Sequence, residues 1–228
     1  RKLMNEYIEK RELTSNKVKC IVPVSQVISD QISQKYPLLK DRIAKPVHPG
    51  VTALYINKNK YNPDQPVLGF MGTEWKRKGL PKVINIWRAV RKQIPTAQLC
   101  LAGFPVDEKI GLLEDEMKFV QILGYIKEKE DFFGRIDILL HPAKKEAFGM
   151  VIAEALSLGM PVVCSKECGI TTTFHSEEFS LNESATTDQW VTKTFQALDR
   201  INPSSASMCF KFNWENCADS YLNLYKKI

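Results

Sequence analysis

The stretch that decides the fold is residues 136–164, which read IDILLHPAKKEAFGMVIAEALSLGMPVVC. It opens with an apolar run at 136–140, of the length of a buried strand, and continues through a polar loop. A helix is predicted over about 149–158, because Gly159 follows it and glycine commonly ends helices. Met160–Cys164 is a second apolar run of strand length. The stretch therefore predicts a strand, a loop, a helix and a further strand in direct succession.

The same alternation runs upstream of that stretch, with short connections between its elements. Strands are predicted at Val67–Met71, Ala97–Ala102 and Phe119–Leu123, and helices at Leu80–Gln93, Asp107–Met117 and Lys127–Phe133. Continuous apolar strands that alternate with helices are typical of a parallel sheet buried on both faces. The sequence therefore predicts an α/β fold: a doubly wound, Rossmann-like parallel sheet with helices on both sides.

The two ends of the chain depart from this pattern. Lys17–Val24 is predicted as a strand, and Ser25 as the N-cap of the helix that follows it. Residues 43–51, IAKPVHPGV, are rich in proline and predict a turn or linker. Two amphipathic helices, at Asp188–Asp199 and Trp214–Lys227, are predicted towards the C-terminal end.

Composition indicates a folded, water-soluble protein that favours anionic partners. Of the 228 residues, 44% are hydrophobic and 25% are charged, and the formal net charge is +6. Zinc-finger spacing, aromatic RNA-binding motifs and long basic arms are absent, so no nucleic-acid partner is expected. The six cysteines lack metal-site spacing and predict reduced thiols in a cytoplasmic protein. The first residue, Arg1, opens a charged, helix-like segment, which suggests a piece of a longer protein.

Three loops that follow predicted strands carry the candidate site residues, because ligands of doubly wound sheets bind beyond the carboxyl ends of the strands. The first, Gly72–Gly79, reads GTEWKRKG and places Arg77 and Lys78 ahead of a helix N-terminus. Cations and free backbone N–H groups suit a diphosphate there, although a basic surface turn explains the same residues. The second loop is Gly124–Lys127, and the third spans 141–149.

Two glutamates, Glu146 and Glu154, lie on either side of Gly149. If Gly149 opens the helix, its N–H group and those of Met150 and Val151 face the ligand crevice. Glu154 then lies about one turn further along, on a helix that is otherwise apolar. A buried carboxylate needs a partner, which the hydroxyls of a sugar or ribose would supply; the alternative is a solvent-exposed helix glutamate.

Those residues resemble the signature of a known enzyme family. Residues 146–162, EAFGMVIAEALSLGMPV, have the pattern Glu-x7-Glu-Ala-x3-Gly-x-Pro-Val and are similar to the motif of family 4 retaining glycosyltransferases with the GT-B fold. Together with 70–79 and 168–169 they look most like bacterial lipopolysaccharide core glucosyltransferases I. The resemblance covers about 18–169 and corresponds to the C-terminal, donor-binding half of such enzymes.

That resemblance implies a role for each residue of the motif. Glu146 would be the catalytic residue and contact the donor sugar near the carbon that is transferred. Arg77 and Lys78 would hold the donor diphosphate, and Glu154 would accept hydrogen bonds from the ribose hydroxyls. The further donor-binding residues that it implies are Gly72, Ile126, Phe148, Gly149, Met150 and Val151. Of these, Ile126 would contact the base through its backbone.

The implied activity is transfer of a hexose, with retention of configuration, from a nucleotide sugar to a glycan or glycolipid acceptor of the lipopolysaccharide type. The donor would be a UDP-hexose, and neither a metal nor another cofactor is expected. Residues 1–50 would hold the last elements of the N-terminal domain and the hinge, and residues 51–228 the nucleotide-sugar-binding domain with its C-terminal helix. Such enzymes build most of the acceptor site in the N-terminal domain, so we expect this chain alone to transfer sugar poorly or not at all. Its location would be cytoplasmic, with peripheral contact at the inner face of the cell membrane.

Some features leave alternatives open. Thr73 stands where many family members carry arginine, a departure that the core glucosyltransferases share. None of His48, His141 and His175 replaces, by motif, the histidine that such enzymes often carry in the N-terminal domain. A non-catalytic nucleotide-binding or interaction module would use the same crevice, and a GT-B nucleotide-sugar epimerase would share part of the motif. NAD-dependent oxidoreduction is disfavoured, because the Gly-x-Gly-x-x-Gly fingerprint is absent.

Overall fold

The computed structural model describes residues 9–52, 54–56, 61–173, 178–201 and 212–227. The strands are β1 (Val67–Met71), β2 (Gln98–Ala102), β3 (Val120–Ile122), β4 (Ile138–His141), β5 (Val162–Ser165) and β6 (Ser180–Leu181). The α-helices are α1 (Gln26–Lys35), α2 (Leu80–Arg91), α3 (Glu130–Phe133), α4 (Met150–Ser157), α5 (Thr187–Leu198) and α6 (Trp214–Tyr225). The 3-10 helices span Pro37–Arg42, Glu114–Phe119 and Gly169–Thr172.

These strands form one parallel sheet, in the spatial order β3-β2-β1-β4-β5-β6. The predicted doubly wound α/β fold is thereby confirmed. The strand order reverses between β1 and β4, which lie side by side with Gly69 opposite Leu139. In such sheets a ligand crevice opens beyond the carboxyl ends of the strands at the point of reversal. The loops after β1 and β4 therefore form the two walls of that crevice.

Apolar side chains fill both faces of the sheet. Neighbouring residues of a strand point to opposite faces, so Ile138 and Leu140 join one buried cluster and Leu139 joins the other. The first cluster contains the inner faces of α2 and α5, including the fully buried Trp87 and Trp190. The second contains residues of α3 and α4. Burial on both sides is the reason that the strands read as continuous apolar runs.

The residues predicted to begin one helix and to end another are confirmed by the structure. Ser25 caps α1 as predicted, because its Oγ accepts a hydrogen bond of 3.3 Å from the N–H group of Ile28. Gly159 follows the end of α4 with a φ of 66°, a left-handed conformation that glycine adopts without a Cβ clash. Strand β1 occupies the predicted residues, and α3 begins three residues after the predicted Lys127.

The helix predicted at Asp107–Met117 is wrong. Residues 107–113 are almost entirely irregular, and only a 3-10 helix at Glu114–Phe119 follows them. Gly111 interrupts the segment with a φ of 83°, which no helix accommodates. The carboxylate of Glu116 also accepts hydrogen bonds from Arg88 and from the N–H group of Leu113, which fixes the tighter turn.

The strand predicted at Lys17–Val24 is also wrong. Only Ile21 pairs in the manner of a strand, through a single parallel bridge to Ile43. Pro23 has no N–H group to donate, and its carbonyl oxygen accepts a bond of 3.0 Å from Val47. The apolar run therefore contributes one bridge to this segment and no strand.

Part of the N-terminal segment packs directly against the loop after β4. The Ser25 hydroxyl donates a hydrogen bond of 2.6 Å to the carbonyl oxygen of Ala147. The His48 ring stacks on Phe148, with centroids 5.5 Å apart, and its Nδ1 lies 3.0 Å from the carbonyl oxygen of Val24. The division into domains at residue 50 stays a prediction, but residues on its N-terminal side contact the site loop.

Two further observations concern membrane-spanning helices and the state of the cysteines. None of the helices in the described ranges is long and apolar enough to cross a membrane. The five described cysteines are free thiols, namely Cys20, Cys100, Cys164, Cys168 and Cys217. Cys209 lies outside the described residues.

Candidate functional site

The two loops at the reversal point touch through backbone atoms. Gly79, the N-cap of α2, has a φ of 90°. A Cβ on Gly79 would overlap the carbonyl oxygen of Pro142 in the loop after β4. The N–H group of Lys144 donates a hydrogen bond of 3.0 Å to the carbonyl oxygen of Arg77. Glycine at position 79 is therefore what allows the two walls of the crevice to meet.

Arg77 binds the protein itself in this structure. Its guanidinium pairs with Glu74 of the same loop and donates to the carbonyl oxygen of Lys145. The arginine side chain is 41% exposed, so it can reach solvent. Its predicted contact with a diphosphate would require the guanidinium to leave Glu74.

The segment that carries Glu146 is held in an extended conformation by the residues after β5. Glu146 accepts a bond of 3.0 Å from the N–H group of Gly169 and donates one of 3.2 Å to the carbonyl oxygen of Glu167. Two residues on, Phe148 accepts a bond of 2.8 Å from Ile170. A Cβ on Gly169 would overlap the carbonyl oxygen of Ala147, so this pairing also depends on glycine. These contacts fix the Glu146 backbone at the reversal point.

The Glu146 carboxylate lies between a lysine and a histidine. Its Oε2 is 3.4 Å from Lys78 Nζ and 3.5 Å from His141 Nε2, and the side chain is 14% exposed. Burial by itself raises the pKa of Glu146, but His141, Lys78 and Arg77 outweigh that effect and lower the pKa to about 2. Glu146 is therefore an anion at neutral pH and has no proton to donate as a general acid.

His141, which the sequence prediction set aside, belongs to the same cluster. It ends β4, is fully buried, and stacks on Phe70 with ring centroids 6.2 Å apart. Burial lowers the pKa of His141, and Glu146 partly opposes that change. Nδ1 has no hydrogen-bond partner among the described residues, and Nε2 approaches Glu146 Oε2 at 3.5 Å, the limit of hydrogen-bond distance. The sequence signal that could have assigned His141 to this site is its position at the end of an apolar strand, five residues before Glu146.

Helix α4 points its N-terminus into the crevice. The first N–H groups of any α-helix lack intrahelical acceptors, and at α4 no side chain caps them; Gly149, with a φ of 106°, precedes the helix. Met150 and Val151 therefore offer N–H groups and the positive end of the helix dipole to an anion. Phe148 as a whole residue is only 3% exposed, and its carbonyl oxygen already accepts the bond from Ile170.

Glu154 is buried in the wall of the crevice. Only 5% of the residue is exposed, so the alternative of a solvent-exposed helix glutamate is wrong. Its Oε1 contacts the ammonium of Lys129, which the sequence prediction did not single out. Its Oε2 is buried and has no hydrogen-bond partner. Burial raises the pKa of Glu154, an effect that Lys129 opposes.

A cavity of about 270 Å³ brings six of the predicted donor-binding residues together. They are Gly72, Lys78, Ile126, Met150, Val151 and Glu154. The other predicted site residues, Glu146, Arg77, Phe148 and Gly149, do not line it, although Glu146 contacts Lys78, which does. No group of three or more residues able to hold a metal ion occurs among the described residues.

A second cavity of about 360 Å³ adjoins the first. The two share Lys129, Met150 and Glu154 as a common wall. The far side of the second cavity includes Trp214 at the start of α6. The resulting cleft runs from the reversal point, past the N-terminus of α4, to α6.

Comparison with known proteins identifies a family for this arrangement. The family described as Glycosyl transferases group 1 matches residues 52–198, which hold the sheet from β1 to β6 and both walls of the crevice. A lipopolysaccharide glucosyltransferase, WaaG of Escherichia coli K12, is 26% identical over 125 residues, which cover 53% of this chain and 33% of that protein.

Solved structures show the same fold. A variant of TarM from S. aureus, in complex with fondaparinux, alpha-GlcNAc-glycerol and UDP, superposes with a TM-score of 0.75 at 18% identity and covers 97% of this chain and 46% of its own. The Anabaena protein HepE in complex with UDP-glucose has a TM-score of 0.66 at 16% identity, over 92% of this chain and 64% of its own. The aligned part of this chain covers about a third of the length of WaaG, so the chain corresponds to part of such a protein.

Proposed function

Because this chain belongs to the group 1 glycosyl transferase family, we propose that its cavity binds the nucleotide-sugar donor of a glycosyl transfer reaction. We infer that the donor is a UDP-hexose. The observation that carries the proposal is the convergence of a lysine, a free helix N-terminus and a buried carboxylate on one cavity at the reversal point. These three groups match the diphosphate and the ribose of such a donor.

Each part of the donor has a complementary group in this cavity. Lys78 and the N–H groups of Met150 and Val151 bind the diphosphate, because they combine a cation with the positive end of a helix. Glu154 accepts hydrogen bonds from the ribose hydroxyls through its unpartnered Oε2. The backbone at Ile126 borders the same cavity and contacts the base.

The chemistry that follows is electrostatic. As the bond between sugar and diphosphate breaks, negative charge grows on the leaving group, and Lys78 with the N-terminus of α4 stabilises it. Arg77 joins them if its guanidinium exchanges Glu74 for phosphate. Glu146, an anion at neutral pH, faces the sugar and stabilises positive charge near the carbon that is transferred. The sugar passes to a glycan or glycolipid acceptor with retention of configuration, and the chain's own residues supply this stabilisation without a protein-bound metal.

The complete reaction needs more than this chain provides. The match to WaaG covers a third of the length of WaaG, and the name of that protein describes it as a lipopolysaccharide glucosyltransferase. We propose that the acceptor is of a similar kind and binds mostly to residues beyond the crevice described above. This chain alone then binds donor and transfers sugar slowly or not at all.

Thermal unfolding in the presence of nucleotides tests the proposal. UDP, GDP and ADP at millimolar concentration are compared with buffer, since a ligand that binds only the folded state raises the melting temperature. Each kcal/mol of stabilisation raises the melting temperature by about 2–4 °C in a chain of this size. UDP is expected to give the largest rise. No rise with any of the three nucleotides would contradict the proposal.

A further inference from the structure

One contact in the cleft involves a residue to which no role has been assigned. Lys129 precedes α3 and reaches across to α4, where its ammonium contacts Glu154 Oε1. The Lys129 side chain is 44% exposed and that of Glu154 only 6%. A half-exposed cation is therefore bound to a carboxylate that is almost completely buried.

The two carboxylate oxygens of Glu154 have different surroundings. Oε1 is occupied by Lys129, whereas Oε2 is buried and has no partner. Lys129, Met150 and Glu154 also form the wall between the cavity of about 270 Å³ and its neighbour of about 360 Å³. The unpartnered oxygen thus belongs to a side chain that borders the space where a nucleotide would lie.

We propose that Lys129 is a positioning residue of the donor site: it holds Glu154 as an oriented anion through Oε1 and leaves Oε2 to accept a hydrogen bond from a ribose hydroxyl. This role rests on the proposed function, because it assumes that a nucleotide occupies the cavity. Lys129 acts through Glu154 and need not touch the nucleotide.

Electrostatics explains why Glu154 needs such a partner. Burial raises the pKa of Glu154, and the nearby Glu130 raises it further. Lys129 opposes both effects through its hydrogen bond and its charge, and Lys78 opposes them more weakly. When Lys129 is removed, burial and Glu130 still raise the pKa of Glu154, and the weaker effect of Lys78 opposes them. Glu154 then takes up a proton at a higher pH and loses its strength as an acceptor.

The test compares two ligands on the 228-residue chain, UDP and 2′,3′-dideoxy-UDP, by isothermal titration calorimetry. Both carry the same diphosphate and base, so their affinity ratio isolates the ribose hydroxyls and cancels the titration of the phosphates. A hydrogen bond to a charged acceptor predicts a ratio of about tenfold to a hundredfold for the wild type at pH 8.

The variant Lys129→Met is expected to lower that ratio at pH 8, because Glu154 loses the contact that orients it, and to lower it further at pH 6, because the pKa of Glu154 rises. Lys129→Arg should restore the wild-type ratio at both pH values, because it restores the cation. Lys129→Gln serves as a second neutral variant in case the methionine perturbs folding. Lys109→Met is the charge-matched control, since Lys109 is exposed and lines neither of the two cavities.

Three outcomes separate the possible failures. A wild-type ratio in Lys129→Met and Lys129→Gln at both pH values would overturn the positioning role. An equal loss of affinity for both ligands with an unchanged ratio would also overturn it, because a purely structural effect does not distinguish them. Failure of the wild type to bind either ligand would overturn the proposed function itself, and the role of Lys129 with it.

Discussion

Lys78 Nζ lies 3.4 Å from Glu146 Oε2, across the point where the strand order of the sheet reverses. The lysine comes from the loop after β1 and the glutamate from the loop after β4. Each side chain is about four-fifths buried or more, so the charges interact with limited screening. A diphosphate would therefore meet a lysine that is already oriented by Glu146 and directed at the cavity.

Lys78→Met is expected to weaken UDP binding. Lys78 is the one lysine of the loop after β1 that lines the cavity. Loss of a charge-assisted hydrogen bond lowers the affinity roughly tenfold to a hundredfold. Isothermal titration at two salt concentrations measures this loss, and the variant should also show a weaker salt dependence.

The matched control is Lys76→Met, which removes an equal charge from the same loop. Lys76 lies over the Trp75 ring, with Nζ 4.9 Å from its centroid, and does not line the cavity. Its loss should change affinity by less than about twofold, as expected of an exposed charge. If the two substitutions lowered the affinity for UDP equally, the overall charge of the loop and not the position of Lys78 would account for UDP binding.

Gly79→Ala is expected to destabilise the fold more than Gly111→Ala. Both glycines have left-handed backbones, with φ of 90° and 83°, so each alanine costs about 1–2 kcal/mol for the conformation alone. At position 111 nothing lies within 4 Å of the added Cβ, whereas at 79 it would overlap the Pro142 carbonyl. Urea unfolding of the two variants measures the difference. Equal losses of stability would contradict the contact between the two loops.

Acid should weaken the fold through Glu146. Its pKa in the folded state, about 2, lies below the ordinary value of 4.5. The stabilisation is therefore complete above pH 4.5 and is lost as the pH falls towards 2. The shift corresponds to roughly 3 kcal/mol of unfolding free energy. Between pH 5 and pH 2, the difference in that free energy between the wild type and Glu146→Gln should shrink by about this amount. A constant difference would be inconsistent with the described ion pairs.

His141 should be neutral at pH 7. Burial lowers its pKa below the ordinary value of 6.5, and the Glu146 carboxylate limits the decrease. A titration followed by NMR of the imidazole ring should give a midpoint below 6.5, and Glu146→Gln should lower the midpoint further. A midpoint at or above 6.5 in the wild type would place the ring in a more polar site than the one described.

Much of the fold could be predicted because its signals are local. The apolar run at Val67–Met71, the cap at Ser25 and the glycine after α4 each act within a few residues. Alternation of such signals determines a parallel sheet, and the sheet in turn places the loops after β1 and β4 side by side. The motif residues Lys78 and Glu154 could therefore be assigned to one crevice from the sequence.

What could not be predicted depends on contacts between distant parts of the chain. The pairing of Lys129 with Glu154 joins α3 to α4 across 25 positions, and no pattern in the sequence specifies it. The segment at Asp107–Met117 has helical spacing, but Arg88 of another helix binds Glu116 and selects a tighter turn. In both places a tertiary ion pair decides the outcome, and in the second it overrides the local helical preference.

The most direct test of the proposed donor site is a crystal structure of this chain with UDP. We predict that the diphosphate lies within hydrogen-bonding distance of Lys78 Nζ and of the N–H groups of Met150 and Val151. The ribose hydroxyls should lie against Glu154. UDP bound instead in the separate cavity of about 210 Å³ around Met160 and Phe179, or at no defined place, would contradict the assignment of the donor site.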